Sequence, residues 1–198
     1  MYINKDTKVV GKLIVLVPYR EEHVLKYHEW MKSTELQLLT ASEPLSLEEE
    51  YAMQKSWLMD ENKCTFIILD KEKYEATGNE VEAMIGDTNL FFANAEDRIC
   101  AEAEIMIAEE WARGRRCGWE AMLHMFIYGI DYLGVKQYVV KISYINTASV
   151  NMFRNMGFVE ISRSNVFQEI TFSKIVDSTW ITWIKMQLGN YEVKVRPQ

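Results

Sequence analysis

The chain has 198 residues, enough for one compact domain with a sizeable core. Its 48 % hydrophobic and 26 % charged residues are ordinary for a globular protein, and its net charge of −7 argues against general nucleic-acid binding, which asks for a basic face. Three irregularly spaced cysteines exclude a disulfide framework or zinc site, the polar first residues do not read as a signal peptide, and no apolar run reaches the ~18 residues of a membrane span.

Reduced thiols in a cytoplasmic compartment are therefore the expectation. Residues 13–17 form a β-branched run stopped by Pro18, a first strand. Val24, Tyr27, Trp30 and Met31 recur at helical spacing over 23–31. Ser46 and Glu49 have the spacing of a capping box and open a second helix carrying Tyr51, Met53, Trp57 and Leu58. Residues 65–69 predict a strand, the acidic segment 71–82 a solvated loop, and 84–92 and 99–107 two further strands joined by a turn over 93–97.

A helix is predicted over 119–133, ended by Gly134, followed by a strand over 138–142 and a short helix over 146–156 closed by Gly157. Residues 158–161 and 167–172 predict a final strand pair. Trp180, Ile181, Ile184 and Leu188 then mark an amphipathic helix that covers the sheet, before a polar end. The pattern is α+β with a mixed sheet.

The densest chemical signal lies between the strand 99–107 and the helix 119–133. There the chain reads Ala112-Arg113-Gly114-Arg115-Arg116-Cys117-Gly118-Trp119. A glycine-bearing turn at a helix start offers free N–H groups and the positive end of the helix dipole, and three arginines add countercharge. A phosphate-bearing ligand fits that turn. It lacks the Gly-Lys-Ser/Thr ending of an NTPase phosphate loop. Cys117 fits as a small packing residue without reactivity. His23, His28 and His124 lack ligand-spaced partners, so no metal site is predicted.

These residues resemble the GNAT N-acetyltransferase family, whose Arg/Gln-x-x-Gly-x-Gly/Ala turn is matched at Arg113, Arg116 and Gly118, with arginine at the central glycine position. The run from Asn146 through Ser149 to Gly157-Phe158 resembles the family's second cofactor element. The resemblance covers roughly residues 3–175. It implies a mostly antiparallel sheet flanked by helices around a V-shaped cleft, with the domain over 1–176 and a C-terminal helix and tail over 177–198. It also implies acetyl-coenzyme A as cosubstrate, held by Arg113, Gly114, Arg115, Arg116, Cys117 and Gly118. Asn146, Ser149 and Phe153 lie in the second element, and the strand N–H groups around Met106 and Ile107 would polarise the thioester. Asn146 serves equally well as a helix N-cap.

Leu16-Val17-Pro18-Tyr19-Arg20 and Tyr27-His28-Glu29-Trp30-Met31 resemble the branch of the family that acetylates protein N-termini. Gly86-Asp87-Thr88-Asn89 and Val166-Phe167-Gln168-Glu169 narrow the resemblance to members whose implied substrates are α- and β-tubulin. The chemistry needs a base, and Glu104, then Glu102, are the candidates because residues two apart share one face of a strand. Both are equally well read as solvent-facing charges. Many family members carry a tyrosine acid where this chain has Phe153. Tyr144 is either a substitute acid or a packing residue. The alternative reading is a binding or scaffolding domain without catalysis, and the oligomeric state is open.

Overall fold

The computed structural model describes residues 2–94 and 96–195. After a 3-10 turn at Tyr2–Asn4 come β1 (Thr7–Val10) and β2 (Ile14–Pro18), a second 3-10 turn, and the helices α1 (Val24–Met31), α2 (Thr34–Thr40) and α3 (Leu47–Met59). β3 (Lys63–Asp70), α4 (Lys71–Thr77), α5 (Glu80–Ala83), β4 (Met84–Asn94) and β5 (Asp97–Ile107) follow. The second half contains α6 (Cys117–Leu133), β6 (Gln137–Ser143), α7 (Thr147–Asn155), β7 (Val159–Ser164), β8 (Glu169–Ile175), α8 (Ser178–Leu188) and β9 (Glu192–Val195).

Among the described residues the nine strands form one sheet in the order β7-β8-β6-β5-β4-β3-β2-β1-β9. Every pairing is antiparallel except β5 with β6. The α+β architecture expected from the sequence is therefore the one observed. β2 is buried along its whole length because both sheet faces are covered, so its apolar run is continuous rather than alternating. Ile14 and Leu16 enter a core with α6, α7 and α8, while Val15 and Val17 enter a second core with α1 and α2.

α6 carries the larger core. Ala121, Met122, Leu123, Met125, Phe126 and Ile127 are all buried, and the helix stops at Gly134 in the left-handed conformation. Burying six such side chains supplies on the order of 10 kcal/mol before entropy is counted. Ser46 and Glu49 form the expected capping box at α3.

Five elements differ from the sequence reading. The segment 71–82 is helical, not a loop. Asp70 caps Lys73 N–H, Gly78 takes a positive φ at the end of α4, and Asn79 caps Glu82 N–H. Glu72, Glu75 and Glu82 are exposed, which conceals short helices whose signals are in their caps. α2 was not distinguished from its surroundings; Ser33 caps it and Ala41 closes it in the left-handed region. β1 was too short to be read. Within the polar end lies β9, paired antiparallel with β1.

α8 packs on α6, and its Trp180 donates to the Met156 carbonyl at 2.8 Å among Phe126, Tyr138 and Phe158. Among the described residues no helix is long and apolar enough to cross a membrane.

Candidate active site

The site begins where the sheet parts. β5 and β6 pair only at Cys100–Gln137, Ala101–Tyr138 and Glu102–Val139, and beyond these pairs the two strands diverge into a wedge. Ala108 N–H donates to the Ile85 carbonyl on the β4 side, and Lys136 N–H donates to the Ile99 carbonyl on the β6 side. Alternation along an antiparallel strand then turns the N–H of Met106 toward β4 and those of Ile105 and Ile107 into the wedge. Of the two residues expected to offer N–H groups, Ile107 has its N–H turned into the wedge, as has Ile105, whereas that of Met106 is turned toward β4.

One cavity of about 570 Å³ opens on this wedge. Met106, Ile107, Arg113, Gly114, Arg116, Cys117, Gly118, Asn146 and Ser149 all line it. The first helical bond of α6 runs from Glu120 N–H to the Arg116 carbonyl, and among the described residues no side chain caps the helix. The N–H groups of Cys117, Gly118 and Trp119 are therefore left without helical partners on the cavity wall. Gly114 (φ +72) and Arg116 (φ +67) bend the chain so that this helix end faces inward. The Arg116 guanidinium lies 5.3 Å over the Trp119 ring.

Arg113 is already committed. Its Nε donates to the Ile107 carbonyl at 2.9 Å, and its guanidinium pairs with Glu35 of α2 at 3.0 Å. Arg115 does not line the wall and instead lies over Trp111. Asn146 caps α7 through Ser149 N–H, as its helix-start reading expects, and it also lines the cavity. Burial raises the Cys117 thiol pKa, so it stays protonated and packs as a small apolar side chain.

A second cavity, about 950 Å³, lies beside the first, on the α1–α3 face of the sheet. The two share Leu39, Thr40, Ile105, Met106, Asn146 and Ser149 as a common wall. Glu102, Glu104, Asp87, Asn89, Lys63 and Phe153 line the second cavity. Glu102 forms a 2.7 Å ion pair with Lys141 across the fork of β5 and β6. Glu104 meets solvent at the mouth but is enclosed by concave walls, and desolvation raises its carboxyl pKa, opposed by Lys63 and reinforced by Glu102.

Phe153 is buried against Phe126 and Phe158. Tyr144 lines neither cavity; its hydroxyl bonds Asn165 at 3.2 Å.

The sequence reading missed Asp87, Asn89, Lys63 and Glu35 as site residues. Asp87 and Asn89, two apart and so on one face of a strand that is otherwise mostly apolar, were the available signal. Among the described residues one carboxylate–histidine cluster has metal-like spacing, Glu22, His23 and Glu80. His23 Nδ1 accepts from Arg20 N–H, so Nε2 carries the proton and donates to Glu80 at 3.2 Å. Both ring nitrogens are thereby used.

Comparison with known proteins agrees with this geometry. Residues 14–159 match the family model described as Acetyltransferase (GNAT) domain. A human relative, "Alpha/beta-tubulin-N-acetyltransferase 9", is 48 % identical over 98 % of this chain and 95 % of its own length. An "N-acetyltransferase 9-like protein" from Nematostella vectensis is 54 % identical over 86 % of this chain and 87 % of its own. The spermidine N-acetyltransferase of Vibrio cholerae, solved with CoA and spermine, has the same fold. It superposes with a TM-score of 0.70 at 18 % identity, over 85 % of this chain and 98 % of that one. The matched family model and these relatives, consistent with the uncapped helix start and the parted strand pair, place the chain in the GNAT acetyltransferase family.

Proposed function

We propose that the protein transfers the acetyl group of acetyl-coenzyme A to the N-terminal α-amine of a cytoplasmic protein, with α- and β-tubulin as the leading substrates. The observation that carries this reading is the shared wall at Ile105–Met106, where the anion cradle and the acid-lined cavity meet. The residues present fit the cosubstrate. Three N–H groups without helical partners at a 17-residue helix suit a pyrophosphate, and wedge-facing N–H groups suit a polarised carbonyl. Acetyl-coenzyme A supplies the activated acyl group when bound.

The chain's own residues do the rest. Ile105 and Ile107 offer their N–H groups to the developing oxyanion. Glu104 is the first carboxylate that an entering ammonium meets, and Glu102 holds the fork closed through Lys141. Two relatives named as tubulin acetyltransferases, from human and Drosophila melanogaster, support the substrate. Incubation with acetyl-coenzyme A and peptides of tubulin N-terminal sequence should add one acetyl mass to each free α-amine. Peptides with a blocked N-terminus and a free lysine should gain none. Absence of coenzyme A release with every peptide would refute the reading.

The alternative, a binding domain without catalysis, rests on Arg116. Its guanidinium rests on Trp119, and its backbone adopts the conformation a glycine would supply. Arg116→Gly should relieve a left-handed penalty of about 1 kcal/mol and change the acetyl-coenzyme A dissociation constant by less than about tenfold. Calorimetry checks this: a gain in affinity well beyond tenfold would show that the arginine obstructs the site.

A further inference from the structure

We propose that Asp87 is the proton acceptor for the incoming α-ammonium and that Glu104 holds that ammonium at the mouth of the same cavity. The inference rests on the acetyltransferase reading above and assigns a residue to a step which that reading leaves open. Asp87 lies on β4, 3 % exposed, and lines the acid-walled cavity. The register sets it opposite Met106 on β5 and Ile67 on β3. Met106 belongs to the shared wall, flanked by the two residues whose N–H groups enter the wedge. A carboxylate here is one strand away from the place where the acyl carbon must lie.

The surroundings orient this carboxylate. Asn89 Nδ2 donates to Asp87 Oδ2 at 2.9 Å, and Asn89 Oδ1 accepts from the Thr65 hydroxyl. The second bond fixes which way the amide points, so Asn89 offers Asp87 its donor end. Charged and titratable groups surround Asp87 from each neighbouring element. Glu104 on β5 and Lys63 on β3 act on Asp87 directly, and its charge in turn acts on Tyr27 of α1 and on Tyr19 after β2, as does that of Glu50 on α3. Lys63 is itself turned onto the Trp57 ring, 3.3 Å from its centroid, rather than onto the carboxylate.

Burial pushes the Asp87 carboxyl up to about 7; the Asn89 bond and Lys63 oppose the rise, and Glu104 adds to it. An ordinary α-amine titrates near 7.7–8.0, about one unit away, so proton transfer between them is close to thermoneutral. Glu104 differs because it meets solvent and is the group an arriving cation reaches first.

The step balances. One N–H bond of the ammonium breaks and its proton bonds to the Asp87 carboxylate, leaving a neutral amine. The amine nitrogen forms a bond to the thioester carbonyl carbon as the carbon–sulfur bond breaks, and the sulfur leaves with the electron pair. A second nitrogen proton passes to the departing thiolate, and Asp87 returns its own to solvent. No oxidant or reductant is involved.

The test compares wild type with Asp87→Asn and Glu104→Gln on an α-amine peptide across pH 5.5–9, with acetyl-coenzyme A affinity measured by calorimetry. Wild-type kcat should rise with pH through a midpoint near 7. Asp87→Asn should lower kcat by about a hundredfold or more and abolish that limb, with acetyl-coenzyme A affinity within about twofold of wild type. Glu104→Gln should raise the peptide KM about tenfold and keep the limb. Formate added to Asp87→Ala should restore part of kcat without changing KM.

An Asp87→Asn protein with kcat within about fivefold of wild type, or with the limb intact, would overturn the assignment. Should that variant fail to fold by circular dichroism, a wild-type kcat flat between pH 6 and 8 would overturn it equally. A wild-type protein that acetylates no α-amine removes both proposals, whereas wild-type turnover with a fully active Asp87→Asn removes this one alone.

Discussion

Gly86→Ala will cost the protein about 3 kcal/mol or more and lower its melting temperature by roughly 6–12 °C. A Cβ at Gly86 would lie 1.9 Å from the Met106 carbonyl oxygen and 3.1 Å from the Ile107 Cα. Those atoms are backbone, so no rotamer can yield. The β3–β4 register slips between Ile68 and Leu69 beside this point, and the irregularity accompanies the close approach of β4 to β5. Relief requires β4 and β5 to separate where Asp87 and Met106 face each other. Activity should therefore fall more than the residual folded fraction accounts for. Thermal unfolding followed by circular dichroism measures the first effect; a melting temperature within about 3 °C of wild type would contradict the packing argument.

Glu120→Ala is expected to remove about 3 kcal/mol at neutral pH. Glu120 sits in the first turn of α6 and accepts from Lys12 N–H at 2.6 Å and Leu13 N–H at 3.0 Å, with His124 at 3.7 Å. It ties the β1–β2 turn to the helix whose uncapped start lines the first cavity. Alanine leaves two backbone donors without their acceptor. Burial acts to raise the Glu120 carboxyl pKa, but the interactions with His124, Leu13 and Lys12 prevail and hold it below the ordinary carboxylate range. A depressed folded pKa gives a contribution that is complete above the unfolded value of about 4.3 and disappears as pH falls through the folded value. Urea unfolding should then show a gap between wild type and variant at pH 7 that narrows in acid below about pH 4. A gap independent of pH would mean that packing, not the carboxylate, supplies the stability.

The parts of the fold legible in the sequence were those whose signal is local. The apolar run at Ile14–Pro18, the capping box at Ser46 and Glu49 and the glycine stop at Gly134 each carry their own cause. β9 was not legible because its partner, β1, lies some 180 residues earlier, and a four-residue strand of alternating charge and valine takes its place through that pairing and the packing of Val193 on the core. The same division holds for the site. The arginine turn announces an anion in one stretch of residues. Asp87 becomes a site residue only through the registers of β3, β4 and β5, and Arg113's attachment to Glu35 depends on a helix that the pattern did not reveal. Glu102 and Glu104 were correctly placed on one face of their strand, but Lys141 separates their duties by occupying the first.

The fork between β5 and β6 also has a mechanical consequence. Among the described residues the two strands of the fork share three ladder pairs and the Lys136–Ile99 bond, with the Glu102–Lys141 bond as a clasp at the crotch. Beyond it, residues 103–107 form a lever arm roughly 16 Å long at about 3.3 Å per residue, so turning it about 5° at the fork alters the gap at its tip by about 1.4 Å. A small change of angle at the fork is thereby magnified at the open end of the wedge.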